Sequence, residues 1–111
     1  MQIDEQNQAA VTVLSPRGPI AGSDGAVFMS RVQAAAQRQH GRVVVDMSNV
    51  SFLDSEGLEA IADLGEEFGR VARTLKLAAL NETLREVLDI TEVAAGCEVF
   101  DDTSSAVRSF E

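Results

Sequence analysis

Runs of apolar residues interrupted by turn-forming residues predict the strands. Residues 9–14 (AAVTVL) are mostly β-branched or aliphatic and precede a proline and a glycine, which predicts a strand. Residues 2–5 are the candidate for an antiparallel edge strand beside it, with residues 6–8 (QNQ) as the hairpin turn. Residues 42–47 (RVVVDM) have an uninterrupted apolar centre, which predicts a central strand buried on both faces. Further strands are predicted at residues 74–80 (TLKLAAL) and, briefly, at Val99 and Phe100.

Apolar residues spaced three or four positions apart predict the helices. Ser23 or Asp24 is expected to cap a first helix that continues to about Gln39, where Gly41 ends it. A longer amphipathic helix of about five turns follows. Its apolar stripe is formed by Leu58, Ile61, Ala62, Phe68, Val71 and Ala72. Two short helices complete the pattern, one that Asn81 caps and one within residues 101–110, where Ala106, Val107 and Phe110 turn inward.

The order of these elements predicts an α/β fold. Helices alternate with strands after the opening hairpin, which favours a mostly parallel central sheet with right-handed crossovers and about four helices. A length of 111 residues suits one domain, so residues 1–111 are expected to form a single unit. Binding sites in such sheets gather beyond the carboxyl ends of the strands, where the loop after Met47 is expected to lie.

The segment at 51–61 (SFLDSEGLEAI) carries the candidate site. If Asp54 is the N-cap of the long helix, its carboxylate accepts a free backbone N–H, and Leu53 and Leu58 stand where a hydrophobic staple forms. Ser55 then occupies the first helical position, where an exposed hydroxyl beside unpaired N–H groups suits a phosphate. The alternative is that Ser55 only helps to start a helix, because serine is common there for capping alone.

Three further residues are expected to support this site. Gly57 would let another backbone approach closely, and Leu58 would anchor the helix to the core. Asp46, at the end of the central strand, would orient the loop from below by hydrogen bonds.

Charge and composition narrow the classes of function. Nine Lys and Arg stand against 18 Asp and Glu, and the net charge of −9 disfavours nucleic acid and favours a partner with a basic face. The acidic residues of the long helix are either a partner-facing stripe or a solvated face: Glu59, Asp63, Glu66 and Glu67. Cys97 is the only cysteine, and we expect a buried thiol. No apolar run approaches the ~20 residues of a membrane span, so we expect a soluble cytoplasmic chain without membrane insertion.

Enzymatic chemistry lacks its usual signatures. Asp46 is placed like the phosphate acceptor of response-regulator receiver domains, but the acidic pair and the lysine that hold Mg²⁺ and phosphate there are missing. No G-x-S-x-G motif occurs, and His40, the only histidine, stands at a helix end. We therefore expect neither catalysis nor a cofactor.

The stretch at 43–61 (VVVDMSNVSFLDSEGLEAI) resembles the signature of the STAS family, which includes anti-sigma factor antagonists and domains of sulfate transporters. The resemblance implies phosphorylation of Ser55 by a partner that is both serine kinase and anti-sigma factor. It also implies that the unmodified form binds this partner and that a serine phosphatase restores it. Glu56 stands where a second Ser or Thr is usual, and Ala21 stands where many members have Asp. The alternative is a non-phosphorylated STAS scaffold or a regulatory subunit of a sensory or transport complex.

Overall fold

The chain folds into a five-stranded mixed sheet with four helices. The computed structural model describes residues 1–111. The elements are β1 (Gln2–Gln8), β2 (Val11–Arg17), α1 (Asp24–Arg38), β3 (Val43–Asp46), α2 (Ser55–Arg70), β4 (Leu75–Ala78), α3 (Glu82–Thr91), β5 (Cys97–Phe100) and α4 (Thr103–Arg108). The strands lie in the order β1 to β5, with β1 antiparallel to β2 and all other pairs parallel. This confirms the α/β class, the opening hairpin and the number of helices.

The hairpin turn differs from the prediction. It lies at Ala9 and Ala10, and residues 6–8 continue β1, where Gln8 pairs with Val11. Both alanines have positive φ, 50° and 65°, as two-residue hairpin turns require because their twist matches that of the strands. Polar side chains are tolerated in β1 because it is an edge strand, and its pairing with β2 satisfies the backbone.

The central strand β3 is buried on both faces, as predicted. Val43 and Val45 belong to the larger core, which the sheet forms with α1, α2 and α3. Val44 points to the opposite face, where a smaller core lies under α4. Ala106 and Val107 of α4 are buried in this smaller core, and Phe110 packs against it. Alternation along the strand therefore divides the apolar residues between two layers.

At the helix ends, one predicted cap is present, one predicted cap is missing, and one helix is shorter than predicted. Asn81 caps α3 as predicted, since its side-chain oxygen accepts a 2.7 Å hydrogen bond from the N–H of Leu84. Ser23 precedes α1, but its hydroxyl makes no capping bond. The predicted apolar stripe of α2 continued to Val71 and Ala72, whereas α2 ends before them and Val71 is 66% exposed. These two residues form the turn that leads into β4, and their side chains are exposed there instead of packing in the core.

Cys97 is half-buried at the start of β5, close to the prediction of a buried thiol. Burial raises the pKa of the thiol to about 11. A side chain at Gly65 would contact the sulfur, since a Cβ there would lie 3.3 Å from Sγ. None of the four helices combines the length and the apolar character that crossing a bilayer demands.

Candidate functional site at the serine loop

The loop of residues 47–54 that leads to Ser55, hereafter the serine loop, connects β3 to α2 and lies beyond the carboxyl end of β3. It pairs with the loop that follows β2. The N–H of Gly18 donates to the carbonyl of Asn49 (2.8 Å), and the N–H of Ile20 donates to the carbonyl of Phe52 (3.1 Å). Ile20 accepts in turn from the N–H of Asp54 (3.3 Å). Backbone bonds thus extend the parallel pairing of β2 and β3 past the strand ends and hold the serine loop in place.

Asp54 is the N-cap of α2, as the sequence predicts. One carboxylate oxygen accepts a 2.9 Å hydrogen bond from the N–H of Gly57, and the other accepts a 2.7 Å bond from the N–H of Gly22. These bonds, the one from Gly22 above all, lower the pKa of Asp54 below its ordinary value, so the carboxylate stays ionised. The bond from Gly22 was not predicted. The only sequence signal for this bond is a glycine in the turn before α1. In the structure this glycine, Gly22, has a φ of 57°.

Ser55 is the first residue of α2, and its side chain is exposed. Its hydroxyl makes no hydrogen bond with the rest of the protein. At this position the helix backbone offers donors that no carbonyl satisfies. The site therefore combines an accessible hydroxyl with a local partial positive charge, between the acidic side chains of Asp54 and Glu56.

Gly57 is buried because the loop after β2 crosses directly over it. A Cβ at this position would lie 2.5 Å from the carbonyl oxygen of Ile20, which no side chain tolerates. Leu58 is half-buried and packs against the larger core, to which Leu53 belongs. The close approach at Gly57 and the packing of Leu58 together fix where α2 begins and how it lies on the sheet.

Asp46 acts at the other end of the serine loop. One oxygen accepts from the N–H of Ser48 (3.0 Å), and the other accepts a longer bond from the hydroxyl of Ser15 on β2 (3.4 Å). The carboxylate shapes the first turn of the loop and makes no contact with Ser55. Its support of the site is therefore indirect.

A groove of about 340 Å³ between α1 and α2 opens beside the serine loop. Glu56, Glu59 and Asp63 line it and make no ion pair within the protein. The other two acids of the predicted stripe are engaged elsewhere: Glu66 pairs with Arg70 (2.8 Å), and Glu67 accepts from Gln33 (2.9 Å). Only half of the stripe is therefore free to meet a partner.

Two exposed apolar side chains on the serine loop and on α1 were not predicted from the sequence. Phe52 in the serine loop is 50% exposed, and Val27 on α1 is 44% exposed. Phe52 precedes Leu53 in an apolar pair of the predicted loop, and the sequence alone does not tell that Leu53 is buried while Phe52 stays exposed. Val27 could not be identified, because its exposure depends on how α1 rotates against the sheet. Exposed aromatic side chains such as Phe52 are enriched in protein-binding surfaces.

Comparison with known proteins identifies the fold family. The profile of the STAS domain matches residues 2–106, which is nearly the whole chain. A comparison with curated protein sequences gives no match.

Solved structures share the fold at low sequence identity. TM1081, a candidate anti-sigma factor antagonist from Thermotoga maritima, is 18% identical with a TM-score of 0.85, over 96% of this chain and 92% of that one. The anti-sigma factor antagonist SpoIIAA in its unphosphorylated form is 17% identical with a TM-score of 0.74, over 98% and 96% of the two chains. The murine anion transporter Slc26a9 is 19% identical with a TM-score of 0.72, over 95% of this chain but 18% of the transporter. By its sequence match and its fold, this chain belongs to the STAS domain family.

Proposed function

We propose that this protein is an anti-sigma factor antagonist and that phosphorylation of Ser55 controls its binding to a partner. The observation that carries the proposal is the exposed hydroxyl of Ser55, which no protein group engages at the start of α2. The fold it shares with SpoIIAA, an anti-sigma factor antagonist, supports the same class of function. The role is binding and regulation of transcription in the cytoplasm, without catalysis.

The partner is a protein that acts both as anti-sigma factor and as serine kinase. Its chemistry follows from the surface around Ser55. The acidic groove lined by Glu59 and Asp63 requires basic side chains on the partner, and Phe52 requires an apolar pocket. Binding of the unmodified form would withdraw the anti-sigma factor from its sigma factor, and a serine phosphatase would regenerate that form.

Phosphorylation would block this interface by charge and size. The phosphate adds about −1.5 to −2 charge between Asp54 and Glu56, and this dianion must lose its water when the partner docks. If the penalty is about 4 kcal/mol, the affinity falls roughly a thousandfold. The backbone need not rearrange, because Asp54 already holds the loop and the helix N-terminus partly stabilises the added charge.

The direct test is incubation with the cognate kinase and ATP, followed by intact-mass measurement. Wild-type protein should gain one phosphate, and Ser55→Ala should gain none. Ser51→Ala is the matched control, because Ser51 is also an exposed serine of the same loop. Titration of the kinase with unmodified and phosphorylated protein then measures the loss of affinity. Absence of phosphate uptake by the wild type, or uptake that persists in Ser55→Ala, contradicts the proposal.

A second candidate is a non-phosphorylated STAS scaffold or regulatory subunit of a sensory or transport complex. The observation that favours it is Glu56, an acidic neighbour of Ser55 where a second Ser or Thr is usual in the family. This candidate predicts that a partner co-purifies with the protein in a stable complex. The affinity of the Ser55→Glu variant for that partner should equal that of the wild type.

A further inference from the structure

Some of the arginine and lysine side chains of this acidic protein form ion pairs with carboxylates, and others do not. Of the nine cationic side chains, six lie within 4.0 Å of a carboxylate: Arg17, Arg31, Arg38, Arg70, Lys76 and Arg85. The other three, Arg42, Arg73 and Arg108, have no acidic partner. Two of these three, Arg42 and Arg73, line the same pocket. Unpaired arginines gathered at one place in a chain of net charge −9 require an explanation.

The pocket lies at the amino ends of β3 and β4, at the opposite end of the sheet from Ser55. Arg42 immediately precedes β3, and Arg73 and Thr74 immediately precede β4. The parallel register pairs Val44 with Lys76. Two positions before each of these residues, Arg42 therefore lies beside Thr74. The pocket is open to solvent and has a volume of about 340 Å³, within the range of pockets that hold small molecules.

Lys76 adds a third positive charge at the inner side of the pocket. It is only 7% exposed, and its ammonium donates to the hydroxyl of Ser109 (2.6 Å) and lies over the Phe110 ring (4.2 Å from its centre). Glu98, 3.5 Å from the ammonium, is the only acid that lines the pocket. Three cations against one carboxylate leave an excess of positive charge, and Lys76 is held too firmly to turn away.

The two arginines retain donors for a ligand. Arg42 uses its Nε to donate to the carbonyl of Ala10 (3.2 Å), which orients the guanidinium and leaves its terminal nitrogens without a protein acceptor. The Arg73 guanidinium makes no hydrogen bond with the protein. Its stem lies across Gly41, where any Cβ would collide with it, and φ at Gly41 is 83°. The glycine thus makes room for Arg73 along the wall of the pocket.

We propose that this pocket binds a small organic phosphate through its dianionic group, with Arg42 and Arg73 as the primary ligands and Lys76 behind them. Guanidinium groups match the oxygens of a phosphate with paired, charge-assisted hydrogen bonds. The acidic remainder of the surface repels anions, which concentrates their binding at this one place. The site would give the protein an input separate from the hydroxyl of Ser55.

The test is a titration of the whole protein with inorganic phosphate and then pyrophosphate, followed by amide chemical shifts in NMR spectra, with potassium chloride at matched ionic strength as the reference. The amides of Gly41, Arg73 and Thr74 should shift and saturate. Arg73→Gln should weaken binding at least about tenfold, because it removes charge-assisted hydrogen bonds. Arg108→Gln removes the same charge from the third unpaired arginine, outside the pocket, and should leave the affinity unchanged.

Arg42→Gln is a second variant that should also weaken binding, with thermal unfolding used to verify that the hairpin contact to Ala10 is not needed for folding. Shifts that do not saturate, an equal loss in Arg73→Gln and Arg108→Gln, or shifts confined to the start of α2 would each overturn the proposal. The Ser55→Ala variant should bind phosphate like the wild type. A failure of phosphate binding in the pocket can therefore be distinguished from a failure of the proposed phosphorylation of Ser55.

Discussion

The carboxylate of Asp54 accepts a 2.7 Å hydrogen bond from the backbone N–H of Gly22, a residue 32 positions earlier in the chain. Its other oxygen accepts from the N–H of Gly57 in the first turn of α2. One side chain therefore joins the loop after β2 to the start of the helix that carries Ser55. The position of the candidate phosphorylation site depends on this double contact.

Asp54→Asn should lower the melting temperature more than a change at an ordinary cap. The amide supplies one oxygen and one NH₂ group, so one of the two backbone N–H groups then faces a donor. Loss of one such bond in a domain of this size corresponds to roughly 4–8 °C. Asp102→Asn is the matched control, because Asp102 caps α4 through a single bond to the N–H of Ser105 and asparagine is an equally good cap. Equal effects in the two variants, measured by circular dichroism, would show that the contact with Gly22 stabilises nothing.

The lowered pKa of Asp54 predicts how this contribution depends on pH. The hydrogen bonds from Gly22 and Gly57 hold the folded-state pKa below the ordinary value of 3.8, which the unfolded chain retains. The folded state thus binds fewer protons, and the stabilisation is complete above the unfolded value and disappears as pH falls through the folded value. Urea unfolding of wild type and Asp54→Asn should therefore differ most near neutral pH and converge in acid. A gap that stays constant down to the lowest pH would contradict this linkage.

Gly57→Ala should destabilise the protein by about 1–3 kcal/mol, because the new methyl group would meet the carbonyl of Ile20. Gly69→Ala lies on the same helix, where a Cβ meets nothing within 4 Å. It should stabilise by up to about 1 kcal/mol, since alanine favours the helix more than glycine does. Denaturant titration measures both changes. Similar values for the two variants would mean that the close approach at Gly57 is unimportant.

Phe52→Ser should weaken binding of the proposed partner by at least about thirtyfold while the protein stays folded, because exposed aromatic side chains are enriched in protein interfaces. Ile90→Ser removes an apolar side chain that is 76% exposed on α3 and should leave binding intact. Calorimetric titration of the proposed anti-sigma factor partner with each variant makes the comparison. Full affinity in Phe52→Ser would place the interface elsewhere on the surface.

Features that depend on a few neighbouring residues could be predicted from the sequence. The caps at Asp54 and Asn81 follow from one side chain and the N–H three residues later, and both are present. The strand around Val44 follows from its apolar neighbours, because only a strand covered on both faces buries them all. The hairpin turn was misplaced because the polar residues 6–8 suit a turn, whereas two alanines accept the positive φ once β1 and β2 pair.

The local sequence determined the order of strands and helices, the start of α2 and the exposure of Ser55, because short-range hydrogen bonds and apolar spacing are sufficient for each. Only the tertiary structure decided that Gly22 meets Asp54, and that Arg42 and Arg73 share a pocket. The two residues of each pair are about thirty positions apart and lie in different loops at the ends of the strands. Their contacts arise because parallel pairing aligns the strand ends, and spacing along the chain carries no record of that alignment.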